Sequence, residues 1–232
     1  MFLEELCEAL DELGGVTLQV VDDGSGTEET ARMRAIVDSK REGSPCLLPL
    51  LELPKNLGKG GAVYAGWEAA PSEAEVLAFV DADGSCSAKE VLRLSQIVRR
   101  VPERAVFASR LKILGRKVER KLLRHLMGRV YATFTSIFLD VPVYDSQCGL
   151  KFVPAKAFQE VAGDLKSSGF SFDAELMITL LDAGYDVVEE PIDWHELPGG
   201  TVSLIRDPLK MFFDILEIRR RRKLRRGNRR GN

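Results

Sequence analysis

Apolar positions change their spacing along the chain, and the changes mark its elements. Over residues 2–13, Phe2, Leu3, Leu6, Ala9, Leu10 and Leu13 share one helical face with acids opposite, and Gly14-Gly15 follows as a stop. Residues 16–21 then run apolar as a strand does and lead directly into Asp22-Asp23-Gly24-Ser25-Gly26. Thr27-Glu-Glu-Thr offers a cap and first-turn acids for a helix to about Lys40. Residues 47–53 form a third apolar segment, and the glycine-rich stretch 54–62 after it opens a helix through Ala70. The sharpest pattern is Val76-Leu-Ala-Phe-Val80, five apolar residues running straight into Asp81 and Asp83, which reads as a strand buried on both faces. A helix over 88–99 and a strand over 105–108, ending at Ser109-Arg110, close the first half. Strand, polar loop and helix recur in that order, the pattern of an α/β fold with a parallel, doubly wound sheet.

The second half is less regular. Residues 118–139 predict one long helix, mixing Arg120, Arg124 and Arg129 with Leu122, Leu123, Leu126, Met127, Val130, Tyr131 and Phe134. On such a helix Arg120 and Arg124 share a face, either as a clamp for one phosphate or as a solvated basic surface. Residues 145–152 read as a polar turn entering a strand, and 168–175 as the start of a helix with Asp173 and Glu175 in its first turn, where acids also complement the helix dipole. A strand over 185–192 and a loop holding Trp194-His195-Glu196 and Pro198-Gly199-Gly200 follow. Residues 208–218 predict an amphipathic helix that runs into a basic tail.

With 232 residues and 45% hydrophobic content, the chain is long enough to bury a full core as one large domain. Its net charge of −2 conceals an asymmetry: nine Lys/Arg lie between Arg219 and the end, and the remainder holds 24 basic against 35 acidic residues. An apolar helix face followed by a cationic cluster suits an anionic membrane surface, with a disordered, solubilising tail as the alternative. Nucleic acid is not expected, because no RNA-binding motif accompanies the tail. No apolar run approaches the ~20 residues of a membrane-spanning helix. The four cysteines are scattered, with no C-x-x-C pair, and predict reduced thiols.

Two stretches carry candidate chemistry. Ligands bind outside the carboxyl ends of strands in open α/β sheets. There, Asp81 and Asp83 would offer hard oxygens to Mg²⁺ or Mn²⁺, although D-x-D-G is also an ordinary solvated turn. The loop 54–62 brings a lysine and three glycines whose amides would approach phosphate closely. It lacks the spacing of a Walker loop, and no G-x-G-x-x-G follows any predicted strand.

Taken together, V-D-D-G-S at 21–25, K-N-x-G-K-G-G-A at 55–62, D-A-D-G at 81–84, S-R at 109–110, D-S-Q-C-G-L-K-F at 145–152, F-x-F-D-x-E-L at 170–176 and P-I-x-W-x-E at 191–196 resemble family 2 glycosyltransferases of the GT-A fold. The resemblance lies with the branch acting on dolichyl or other polyprenyl phosphates, and is closer to its glucosyl than its mannosyl members. It implies a Rossmann-like domain over 1–207 with a mostly parallel central sheet flanked by helices, and an amphipathic helix and basic tail over 208–232. The family's first strand, with its P-x-Y-N-E motif, does not precede residue 16, and its absence would leave residues 16–21 without a neighbour. By resemblance, Asp22, Asp23, Lys59, Asp81 and Ala82 would bind the nucleotide sugar. Asp81 and Asp83 would hold Mg²⁺ or Mn²⁺. Arg110, Arg120 and Arg124 would bind the acceptor phosphate. Asp145, Gln147, Asp173 and Glu175 would line the reaction site. A lysine often found near the position of Thr201 is absent, with Arg206 as a substitute. The activity implied is inverting transfer of a hexose, glucose from UDP-glucose, to a polyprenyl phosphate at the cytoplasmic membrane face. GDP-mannose as donor, or a non-catalytic membrane-associated homologue, are the alternatives.

Overall fold

A computed structural model describes residues 2–120, 122–197 and 206–230, without the side chains of 123–125, 206–209 and 227–230. The first half contains α1 (Phe2–Leu13), β1 (Val21–Asp22), α2 (Thr27–Arg41), β2 (Leu51–Glu52), α3 (Gly58–Glu68), β3 (Val76–Val80), α4 (Ala88–Val98) and β4 (Ala105–Ser109). The second contains β5 (Val118–Glu119), α5 (Leu122–Leu139), β6 (Leu150–Pro154), α6 (Ala155–Val161), α7 (Phe172–Asp182), β7 (Val187–Pro191), β8 (Trp194–His195) and α8 (Arg206–Arg230).

Local chemistry explains the firmest of these. α1 buries Leu6, Cys7 and Leu10 against α4 and stops at Gly14, whose φ of 66° lies in the left-handed region. α4 starts at Ser87, whose side chain accepts from the Glu90 amide, and it buries Val91, Leu94 and Val98 along one face.

The central sheet has the order β3-β6-β4-β7. β4 and β7 are parallel, and β6 runs antiparallel to both β3 and β4. The expected common direction therefore holds for β3, β4 and β7, while β6 is reversed. Its reversal follows from the turn that feeds it: Leu150 pairs with Val80 at the carboxyl end of β3, so a chain entering there can only run back. As a consequence the turn 145–149, the Asp81 loop and Arg110 all gather at one end of the sheet. Residues 16–21 do have a neighbour, since Leu18 bridges Leu47 and Val21 pairs with Leu51. Among the described residues no ladder joins β1 to β3.

Three expectations need correction. Residues 118–139 are not one helix: Val118–Glu119 pairs with Trp194–His195, and the helix begins only at Leu122. Arg120 thus lies in the link before α5, so the shared helical face invoked for Arg120 and Arg124 does not exist; the Arg124 side chain lies outside the described residues. The tail is not a free basic arm. α8 continues unbroken through it, packs on α5 and α7, and buries Ile215 and Ile218. Arg222 and Arg226 pair with Asp182, Arg225 with Asp164 and Arg221 with Glu175. The loop 198–200, Thr201 and the Arg206 side chain lie outside the described residues.

Candidate active site

The carboxyl ends of β3 and β4 carry the charge. Asp81 follows β3 directly, its amide donating to the Gly149 carbonyl at 2.8 Å. Its carboxylate packs so closely on Gly149 that a Cβ there would collide with it. Lys59, from the first turn of α3, reaches across to Asp81 at 2.8 and 3.0 Å. On the way its ammonium passes the rings of Phe79 and Phe172. Burial would lower the Lys59 pKa, but Asp173 and Asp81 outweigh it and keep the amine charged. Asp83 is exposed, and its carboxylate accepts the Ser85 amide.

Behind Lys59 lies a second pair. Lys151, on β6, is fully buried; its ammonium lies 2.5 Å from Asp173 and donates to the Cys148 carbonyl. Burial pushes the Asp173 carboxyl up despite Lys151 and Lys59. The one signal for Lys151 in the sequence is a lone lysine interrupting an apolar strand, which does not by itself mark a site.

Arg110 is gripped by Asp145 through two side-chain bonds of 2.6 and 2.7 Å and a backbone bond of 3.0 Å. Its guanidinium stacks over Trp194 at 5.0 Å. Burial alone would raise Asp145, but the charge and hydrogen bonds of Arg110, with the charge of Arg120, hold it well below the usual carboxylate range. Glu189 in turn accepts the Tyr144 and Asp145 amides. Burial and the nearby Arg110 charge depress Arg120, which places the two cations in one electrostatic neighbourhood. Gln147 donates to the Phe170 carbonyl.

Other candidates serve the chain itself. Asp22 is buried and bonds Thr30 and the Ser25 amide. Asp23 accepts the Leu57 and Gly58 amides, capping α3. The Ser168 carbonyl takes the Gly60 and Gly61 amides. Gly58 and Gly60 are required by that close approach: a Cβ at Gly58 would lie 2.7 Å from the Ser168 carbonyl, and one at Gly60 2.5 Å from Phe172. Glu175 is fully buried and accepts the Lys166 and Ser167 amides.

Among the described residues no three His, Cys, Asp or Glu side chains gather as a metal cage. Two strand-end carboxylates, one of them exposed, do fit a hard cation that takes its other ligands from diphosphate oxygens and water.

The profile of glycosyl transferase family 2 matches residues 2–161. The chain is 26% identical over 212 residues to a dolichyl-phosphate beta-glucosyltransferase of Saccharomyces cerevisiae, covering 86% of this chain and 63% of that protein. It is 31% identical over 174 residues to one from Trichomonas vaginalis, covering 73% and 51%. It therefore spans about half to just under two thirds of the length of these relatives. Among solved structures, glucosyl-3-phosphoglycerate synthase of Mycobacterium tuberculosis in complex with UDP superposes over 94% of this chain and 74% of that one, with a TM-score of 0.61 and 15% identity. The same enzyme with Mn²⁺, UDP-glucose and glycerol 3-phosphate gives 0.58 at 16% identity. These likenesses show the GT-A fold.

Proposed function

Since this chain belongs to glycosyl transferase family 2, whose profile covers more than half of it, we propose that it transfers glucose from UDP-glucose to a dolichyl or other polyprenyl phosphate. The observation that carries the reading is the convergence of Asp81, Asp83, Lys59 and the Arg110–Asp145 pair at one end of the sheet. The relatives named as dolichyl-phosphate beta-glucosyltransferases support the sugar and acceptor, and the solved UDP-glucose and Mn²⁺ complexes support the donor and a divalent cation.

Asp81 and Asp83 would hold Mg²⁺ or Mn²⁺, which when bound neutralises the departing diphosphate. Asp22 and Asp23 shape the loops on which the base and ribose would rest, next to Ala82. A β-linked product from an α-linked nucleotide sugar requires inversion, hence a single displacement from the opposite face. The acceptor phosphate is an anion near neutral pH and needs no strong base. Asp145 suits that chemistry: it is spent on Arg110, which it holds in place, and Arg110, with Arg120 and, as the family resemblance implies, Arg124, would bind the acceptor phosphate. Gln147 would line the sugar site, and the Asp173–Lys151 pair would fix Lys59 from behind.

The membrane-facing surface in this reading is α5 together with the outer side of α8. Leu122, Leu126, Val130 and Ile137 are exposed, and at 3.6 residues per turn they fall within an arc of roughly 80°. Ile113 and Leu114 are exposed in the preceding loop, and Phe213 and Leu224 on α8. No helix among the described residues is long and apolar enough to cross a membrane. Residues 1–207 would be the transferase domain and 208–232 the segment that meets the cytoplasmic membrane face. The four free, buried cysteines agree with a reducing compartment.

The test incubates purified protein with Mg²⁺ or Mn²⁺, a polyprenyl phosphate and radiolabelled UDP-glucose or GDP-mannose. Label is expected in the lipid phase from UDP-glucose, lost with EDTA. Asp83→Ala should cut the rate at least about 100-fold, the scale of removing one charge-stabilising group, with the melting temperature unchanged. Full activity in that variant refutes the metal role.

A further inference from the structure

We infer that Arg221, on the C-terminal helix α8, is a positioning residue for the first turn of α3, where Lys59 reaches Asp81. Arg221 lies 2.9 Å from Glu175 and donates to the Ser167 hydroxyl at 3.2 Å. Glu175 holds the Lys166 and Ser167 amides at 2.8 and 2.6 Å. That clamp sets the next carbonyl, Ser168, which accepts the Gly60 and Gly61 amides at 2.7 and 3.2 Å. Between Gly58 and Gly60 stands Lys59, whose ammonium meets Asp81. Hydrogen bonds and ion pairs, linked by the backbone steps from Ser167 to Ser168 and from Gly60 to Lys59, thus join α8 to the strand end where the donor would bind.

The closeness of the parts makes the run stiff. Gly58 admits no Cβ because the Ser168 carbonyl presses on it, and Gly60 none because the Phe172 side chain and the Ser167 carbonyl do, so residues 167–172 cannot shift without moving α3. Glu175, a candidate for the reaction site, instead acts through the loop. α8 also carries exposed Phe213 and Leu224, which at 3.6 residues per turn lie roughly 60–80° around the helix from Arg221, so the bracing residue borders the exposed apolar stripe.

The inference rests on the proposed transfer reaction for its kinetic readout only. Arg221→Gln should raise the KM for the donor about tenfold, the effect of one charge-assisted hydrogen bond, with the KM for the acceptor lipid unchanged. Arg221→Lys keeps a cation in reach of Glu175 and should restore the donor KM to within about twofold on the same scale. Arg222→Gln is the control: it removes the ion pair that the next residue of α8 makes with Asp182 of α7, and should lower thermal stability without changing the donor KM. Amide hydrogen exchange over residues 57–68, with no substrate present, should speed up in Arg221→Gln and not in Arg222→Gln. Equal exchange in the two variants overturns the relay, as does a donor KM that follows thermal stability rather than Arg221. Should the wild-type protein transfer no sugar, the functional reading falls while the exchange comparison still decides the relay.

Discussion

Replacing Lys151 by Met keeps most of the side chain's volume and removes the charge that faces Asp173 2.5 Å away in the interior. Asp173 then loses its contacting cation and keeps only the more distant charge of Lys59, which is itself bound to Asp81, in a site that already pushes its pKa up. Its escape is to take a proton. From an unfolded value near 3.9, at about 1.4 kcal/mol per pH unit, that costs about 4 kcal/mol at pH 7 and about 1.5 kcal/mol at pH 5. The sign follows from a folded pKa above the unfolded one: the penalty is absent below about pH 4 and grows as pH rises. The Cys148 carbonyl also loses its donor, for about 1–3 kcal/mol at any pH. At pH 7 the charge part alone corresponds to a fall in melting temperature of roughly 8–16 °C for a chain of this size. Urea unfolding of Lys151→Met at pH 5 and pH 7 measures the difference, and the double variant with Asp173→Asn should retain only the pH-independent part. Equal losses at the two pH values, or a double variant no better than the single, would refute the argument.

Three further outcomes are expected. Gly149→Ala drives a methyl group into the Asp81 carboxylate; it should cost about 1–3 kcal/mol of stability in urea unfolding and slow transfer, and an unchanged protein would mean that Asp81 is free to swing aside. Burial pushes the Cys46 and Cys148 thiols up to about 12, so a thiol reagent at pH 8 should leave both unlabelled in the native protein and label them in denaturant. Leu126→Glu with Val130→Glu should weaken flotation with anionic vesicles at least about 100-fold, since each buried side chain contributes about 1.5–3 kcal/mol; undiminished flotation would move the membrane surface off α5.

The parts of the fold that were legible in the sequence are those whose causes are local. α1 and α4 follow from one apolar face and a stop or cap within the same dozen residues. β3 announces itself because an apolar run meets Asp81 with nothing between. The reversal of β6 was not legible, since strand direction is set by where the preceding turn docks. Residues 118–119 read as helix in the sequence because two residues pairing with Trp194–His195 carry no period of their own. The role of Asp145 as the holder of Arg110, 35 residues away, is likewise a product of the sheet.

The basic tail shows why composition alone misleads here. Nine cations without an acid read as a surface seeking an anionic partner. The acids that partner four of them, Asp164, Glu175 and Asp182, sit in an earlier stretch that looks merely helical. Once paired, these arginines offer little to a membrane, because surface attraction depends on free charge within a Debye length. What α8 does supply is rigidity beside α7, where an acid in the first turn holds the loop against Gly60 and Gly61. The same charge pattern that suggests an anchor in one dimension becomes, in three, a brace for the end of the sheet where Asp81 and Lys59 meet.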